Sequence, residues 1–159
     1  MEGKVRTVET KIHVAATEEN VLRAFLDLEA MRHWWHVDRG LVEPREGGVW
    51  ALAWERSEQG FKYVITGRIA SLEPGQRLVI TEMLYFNPDR PVLGPMSLMV
   101  KAGVSPGGCE LTIQQDGYRD GPDWDWYYKV VSWAWPQVAK DIEQFLETEA
   151  QQTPIPYRP

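Results

Sequence analysis

Residues 123–146 read DWDWYYKVVSWAWPQVAKDIEQFL. The apolar members Trp124, Tyr127, Tyr128, Val131, Trp135, Val138, Ile142, Phe145 and Leu146 recur at three- and four-residue intervals. That spacing places them on one stripe of an α-helix, with Asp123 as its capping residue. The helix is expected to run for roughly 26 residues, or about 39 Å at 1.5 Å per residue, long enough to cross a sheet. Pro136 predicts a kink near Ser132–Trp133, because it removes a backbone donor and crowds the preceding turn. The segment Gln151–Pro159 carries three prolines and is expected to be an extended or disordered tail after a single domain over residues 1–150.

Upstream, the pattern changes period. In residues 5–14, Val8, Thr10, Ile12 and Val14 alternate with Glu9, Lys11 and His13, the signature of a half-buried strand. Thr17 stands where an N-cap belongs, and Val21, Leu22, Phe25 and Leu26 follow at helical spacing. A second short helix or turn covers Glu29–Trp35. From Gly40 the chain reads as strands: Leu41–Val42, Val49–Glu55, Phe61–Leu72, Arg77–Phe86, Met96–Ala102 and Cys109–Asp116. Turns at Gly47–Gly48, Ser57–Gly60, Glu73–Gln76 and Ser105–Gly108 separate most of them, and Asn87–Gly94 forms a loop. The order is strand, two short helices, six strands, long helix. It specifies an α+β fold in which a seven-stranded, curved antiparallel sheet wraps around the C-terminal helix.

The whole chain has 159 residues with 17 Lys+Arg, 23 Asp+Glu and a net charge of −6. No polybasic segment is present, which argues against phosphate-driven nucleic-acid binding. No apolar run approaches the ~18 residues of a membrane span, and residues 1–5 lack the apolar stretch of a secretory signal. A cytoplasmic domain is the expectation. One cysteine, Cys109, excludes an internal disulfide and a multi-cysteine zinc site. Eight tryptophans beside six tyrosines and four phenylalanines are the unusual feature.

In this order, several segments carry a resemblance: Ile12–Thr17 with Val21 and Phe25, Met31–Trp35, Glu46–Trp50, Gly67–Ile69, Glu73–Glu82 and Gly108–Ile113. Over residues 5–148 the chain resembles the START-like, birch-pollen-allergen (helix-grip, SRPBCC) superfamily. Within it, the chain is most similar to homologues of the activator of the heat-shock-chaperone ATPase. The resemblance implies the helix-grip fold. It assigns no activity, because the superfamily includes carriers, cyclases, hydrolases and co-chaperones. Two positions depart from the branch: Cys109 replaces a small residue, often Thr, and Gln115 stands where a His is frequent.

Hairpin arithmetic nominates site residues. If Glu73–Gln76 is a four-residue turn, Leu72 pairs with Arg77, and Ile65, Gly67 and Ile69 oppose Leu84, Glu82 and Ile80. Glu82 is then expected to point inward, where desolvation raises its pKa unless Tyr63, a tryptophan N–H or Gln115 meets it. Indoles beyond what a small core needs could line a cavity for a flat apolar ligand, with their N–H groups as orienting donors. The candidate ligand-binding set is Trp35, Trp50, Trp54, Tyr63, Glu82, Gln115, Tyr128 and Trp135. Trp34 and Trp35 are adjacent, so one of them is expected at the cavity mouth.

Other constellations read as structural. His33 and His36 lack further ligands for a metal, and Cys109 has no base in sequence reach. The aspartates at 116, 120, 123 and 125 suit the helix N-terminus. No metal, cofactor or catalytic residue is assigned. Three functions fit: a binding module for a hydrophobic or aromatic small molecule, a cyclase or hydrolase with Glu82 as general acid/base, and a chaperone-interacting protein.

Overall fold

A computed structural model describes residues 6–152. Strand β1 (Thr7–Val14) is followed by helices α1 (Glu18–Arg23) and α2 (Leu28–Trp34). Strands β2 (Arg39–Val42), β3 (Val49–Ser57), β4 (Gly60–Glu73), β5 (Arg77–Phe86), β6 (Leu93–Ser105) and β7 (Gly108–Asp116) come next, and helix α3 (Pro122–Gln152) closes the chain. All seven strands form one antiparallel sheet in the order β1-β7-β6-β5-β4-β3-β2.

Local chemistry sets the boundaries. The Thr17 hydroxyl accepts the Asn20 N–H and starts α1, while the Asp27 carboxylate accepts the Glu29 N–H and starts α2. Helix α3 begins with Pro122, whose missing N–H costs nothing in the first turn. It runs to Gln152 through Pro136 as one continuous helix. The expected Pro-rich tail, residues 153–159, lies outside the described residues.

The inner face of the sheet carries the alternating apolar residues. Trp50, Leu52 and Trp54 of β3 are buried. So are Leu78 and Ile80 of β5, Leu98 and Val100 of β6, and Leu111 and Ile113 of β7. Against this face α3 buries Tyr127, Val131, Trp135, Ala139, Ile142 and Leu146, a row with the three- and four-residue spacing of one helix stripe. Each large side chain removed from water in this way contributes about 1.5–3 kcal/mol of transfer free energy. The family-level expectation of a sheet gripping a helix is therefore the observed architecture.

The β4–β5 hairpin departs from the expected register. Glu73, not Leu72, pairs with Arg77, so the turn holds three residues, Pro74–Gln76, with Gly75 at a φ of 68°. One irregularity between Ile69 and Ser71 restores the expected Ile69–Ile80 pair. A second, between Thr66 and Arg68, opens opposite Glu82, whose φ is 55°. This bulge inserts an extra residue, so the inward parity of β5 changes from Leu78 and Ile80 to Met83 and Tyr85. Glu82 is thrown outward, its side chain 67% exposed and its Oε2 3.3 Å from Arg68 Nε. The expectation of an inward carboxylate is corrected. The space left by Gly67 is taken by apolar atoms: a Cβ there would lie 2.8 Å from Ile80 Cγ2 and 3.0 Å from Met83 Cγ.

Candidate ligand-binding site

A cavity of about 600 Å³ lies between α3 and the β3–β5 side of the sheet. Six of the eight tryptophans line it: Trp34, Trp35, Trp54, Trp126, Trp133 and Trp135. Tyr63, Tyr85, Tyr127 and Gln115 line it as well.

The aromatic wall is built around Trp35. This residue is the C-cap of α2, its backbone N–H bonded to the Met31 carbonyl, and its ring lies beside that of Trp34. The two indoles stack with centroids 5.0 Å apart and planes 10° apart; Trp34 is buried in the core, while Trp35 is half-buried at the cavity. Trp35 also meets Trp54 edge-on at 5.2 Å and Trp135 at 5.4 Å. Such offset and tilted pairs suit the quadrupoles of the rings.

Most of the indole N–H groups in and beneath this wall bond within the protein. Trp34 Nε1 donates to the Ala24 carbonyl at 3.0 Å, Trp50 Nε1 to Phe25 at 2.8 Å, and Trp54 Nε1 to Trp35 at 3.0 Å. Trp135 Nε1 donates to Gln115 Oε1 at 2.9 Å. The N–H groups of Trp50, Trp54 and Trp135 therefore secure the fold, whereas the sequence had nominated them to orient a ligand. Gln115 is 2% exposed; it lies on β7 between Val8 and Leu98. Its amide nitrogen lies 3.5 Å from Tyr127 Oη and 3.6 Å from Met96 Sδ.

The tyrosines are held neutral by their surroundings. Burial, with a further rise from the Glu55 carboxylate, pushes Tyr63 up to about 12. Burial raises Tyr85 and Tyr127 as well, against lowering by Asn87 and Gln115 respectively. At the rim, Lys62 Nζ lies 4.0 Å from Glu55 Oε1, and His36 and Asp141 complete the edge.

Of the eight nominated residues, Trp35, Trp54, Tyr63, Gln115 and Trp135 come together around this cavity. Three do not. Trp50 is fully buried beneath Trp35, with ring centroids 6.1 Å apart. Tyr128 turns away toward Tyr118 and the Arg6 guanidinium, 5.2 and 5.0 Å from its ring. Glu82 is on the exposed bulge. Sequence reasoning missed Tyr85, Trp126 and Tyr127 as lining residues, although Tyr127 was already on the α3 stripe.

The remaining constellations stay structural. Cys109 is fully buried, and burial pushes its thiol up, away from the thiolate a nucleophile needs. Asp123 bonds Arg90 at 3.1 Å and Asp125 bonds Arg6 at 2.7 Å. His33 is exposed and stacks on Phe145. Among the described residues no three metal-ligating side chains cluster, and no helix is long and apolar enough to cross a membrane.

Fold and cavity together define a helix-grip protein. Residues 15–147 match the family model described as activator of Hsp90 ATPase homolog 1-like protein, and the chain belongs to that family. Among solved structures it is similar to protein MLL2253 from Mesorhizobium loti (TM-score 0.74, 22% identity, 90% of this chain and 98% of the other). It is also similar to protein CV1439 from Chromobacterium violaceum (0.68, 25%, 89% and 98%). A third is SA2116 from Staphylococcus aureus, a protein of unknown function (0.74, 15%, 95% and 99%). No curated protein sequence matches the chain.

Proposed function

We propose that this protein is a binding module for a hydrophobic or aromatic small molecule, held between α3 and the sheet. The observation that carries this reading is the aromatic cavity itself. Its volume of about 600 Å³ is in the range of small-molecule sites, roughly 300–1,000 Å³. Its indole wall is pre-organised by internal hydrogen bonds, so an apolar guest meets rings already in place. The family supports the reading, since helix-grip domains commonly hold apolar ligands in this position.

The acid/base alternative loses its residue with Glu82 exposed on the bulge. The family's name points to a chaperone, and that partner is tested by capture with purified Hsp90. The binding reading is tested by tryptophan fluorescence during titration with a panel of apolar aromatic molecules. Saturable change in the native protein, lost when Trp35→Ala opens the wall, is the expected result. An unchanged spectrum across the panel would overturn it.

A further inference from the structure

The cavity holds two hydrogen-bond donors that the protein itself does not use. Tyr127 and Tyr85 both line it, 4% and 6% exposed, with ring centroids 4.4 Å apart. In each case a side-chain amide of fixed orientation occupies the phenol oxygen. Trp135 donates to Gln115 Oε1, which turns the Gln115 nitrogen toward Tyr127 Oη. The Asp89 backbone N–H donates to Asn87 Oδ1 at 3.0 Å, which turns the Asn87 nitrogen toward Tyr85 Oη at 3.2 Å. An amide nitrogen only donates, so both phenols are acceptors in these bonds. Neither hydroxyl proton has an acceptor among the described residues. Tyr63 differs, because the Glu55 carboxylate lies close enough to raise the pKa of its hydroxyl.

A buried donor without an acceptor is costly, so each of these two phenols has room for an acceptor oxygen that a guest can supply. Charge narrows the guest further. The nearby cations are already paired: Arg90 with Asp123 at 3.1 Å, its guanidinium 3.9 Å above the Trp126 ring, and Lys62 with Glu55. Among the described residues each nearby guanidinium or ammonium already faces a carboxylate, so an anion entering this apolar space would have to compete for it.

We propose that the ligand is an uncharged, largely aromatic molecule bearing a carbonyl oxygen, which accepts the Tyr127 O–H. In a ligand with a second oxygen, the Tyr85 O–H is the second donor. This assignment rests on the binding function proposed above and names the chemistry of the same site.

The test compares fluorenone with fluorene, which share a ring frame and differ by a carbonyl in place of a methylene. Affinities are measured by calorimetry on the native chain, with fluorene carboxylate as the charged arm. Fluorenone is expected to bind roughly tenfold more tightly than fluorene, as one buried neutral hydrogen bond allows. Its carbonyl stretching band shifts to lower frequency when bound. Tyr127→Phe removes that shift and brings the fluorenone and fluorene affinities together. The band shift in the native protein decides the matter even where a variant folds poorly. Equal affinities with an unshifted band overturn the carbonyl assignment and leave the apolar site standing. Preference for the carboxylate overturns the uncharged class. If none of the three binds, the binding function falls with the assignment.

Discussion

The Trp50 indole nitrogen donates to the Phe25 carbonyl at 2.8 Å, joining β3, the strand beside the β2 edge of the sheet, to the segment between α1 and α2. Trp50 is fully buried, so the bond has no competing water. This relationship separates the tryptophans that build the protein from those that border its cavity.

Trp50→Phe is expected to destabilise the fold by about 2 kcal/mol or more, since it leaves the Phe25 carbonyl unpaired and opens a void. Trp133, 71% exposed at the cavity edge, is the contrast. Trp133→Ala should change stability by no more than about 0.5 kcal/mol. Urea unfolding midpoints of the two variants check the difference.

Glu82 occupies a left-handed backbone conformation on the β5 bulge, which glycine adopts without steric cost. Glu82→Gly is expected to be neutral or stabilising by up to about 1 kcal/mol, and Glu82→Gln to leave ligand affinity unchanged. Gly67→Ala should destabilise, because the new methyl meets Ile80 and Met83. Thermal melts check Glu82→Gly and Gly67→Ala, and a fluorenone titration checks Glu82→Gln; a strongly destabilised Glu82→Gly would contradict the bulge.

Gln115 links β7 to α3 through Trp135. Gln115→Leu strands the Trp135 N–H in an apolar space, at a cost of about 1–3 kcal/mol. Combining it with Trp135→Phe should cost less than the two changes added together, because both remove the same bond. A double-mutant cycle in denaturant measures that coupling, and strict additivity would refute it.

The buried tyrosines predict alkaline sensitivity. Folding holds Tyr63 at about 12, above the ordinary ~10 of an unfolded chain. Its neutral form is the one the fold prefers, so this stabilisation is complete below pH ~10 and is lost as pH rises toward 12. Tyr85, Tyr118 and Tyr127 shift in the same direction. Tyrosinate absorbance should therefore rise together with the loss of near-ultraviolet circular dichroism. Ordinary titration of all six tyrosines in a still-folded protein would count against it.

How much of this was legible in the chain depends on the scale of the signal. The strands, the Thr17 cap and the α3 stripe follow from period and turn chemistry, and all appear in the structure. The excess of tryptophans nominates Trp35, Trp54 and Trp135, and Gln115 enters as a polar partner within the sheet; all four line the cavity. Glu82 does not, because a bulge changes parity in mid-strand and a turn-counting argument carries the old parity through it. Its trace was nonetheless present, since Ile80 and Met83 cannot share a face of a regular strand. The internal bonding of the indoles depended on which backbone carbonyls stand nearby, a tertiary fact with no local pattern.

The strand order has a consequence for how the molecule comes to exist. Five of its six strand pairings join neighbours along the chain, whereas β1 and β7 bring together residues 109 apart, as in the Thr7–Asp116 pair. Ring closure of that length is entropically slow. Gln115 lies on the strand that this closure completes and bonds Trp135 of α3. The binding chamber thus takes shape only once β1 has met β7 and α3 lies across the sheet.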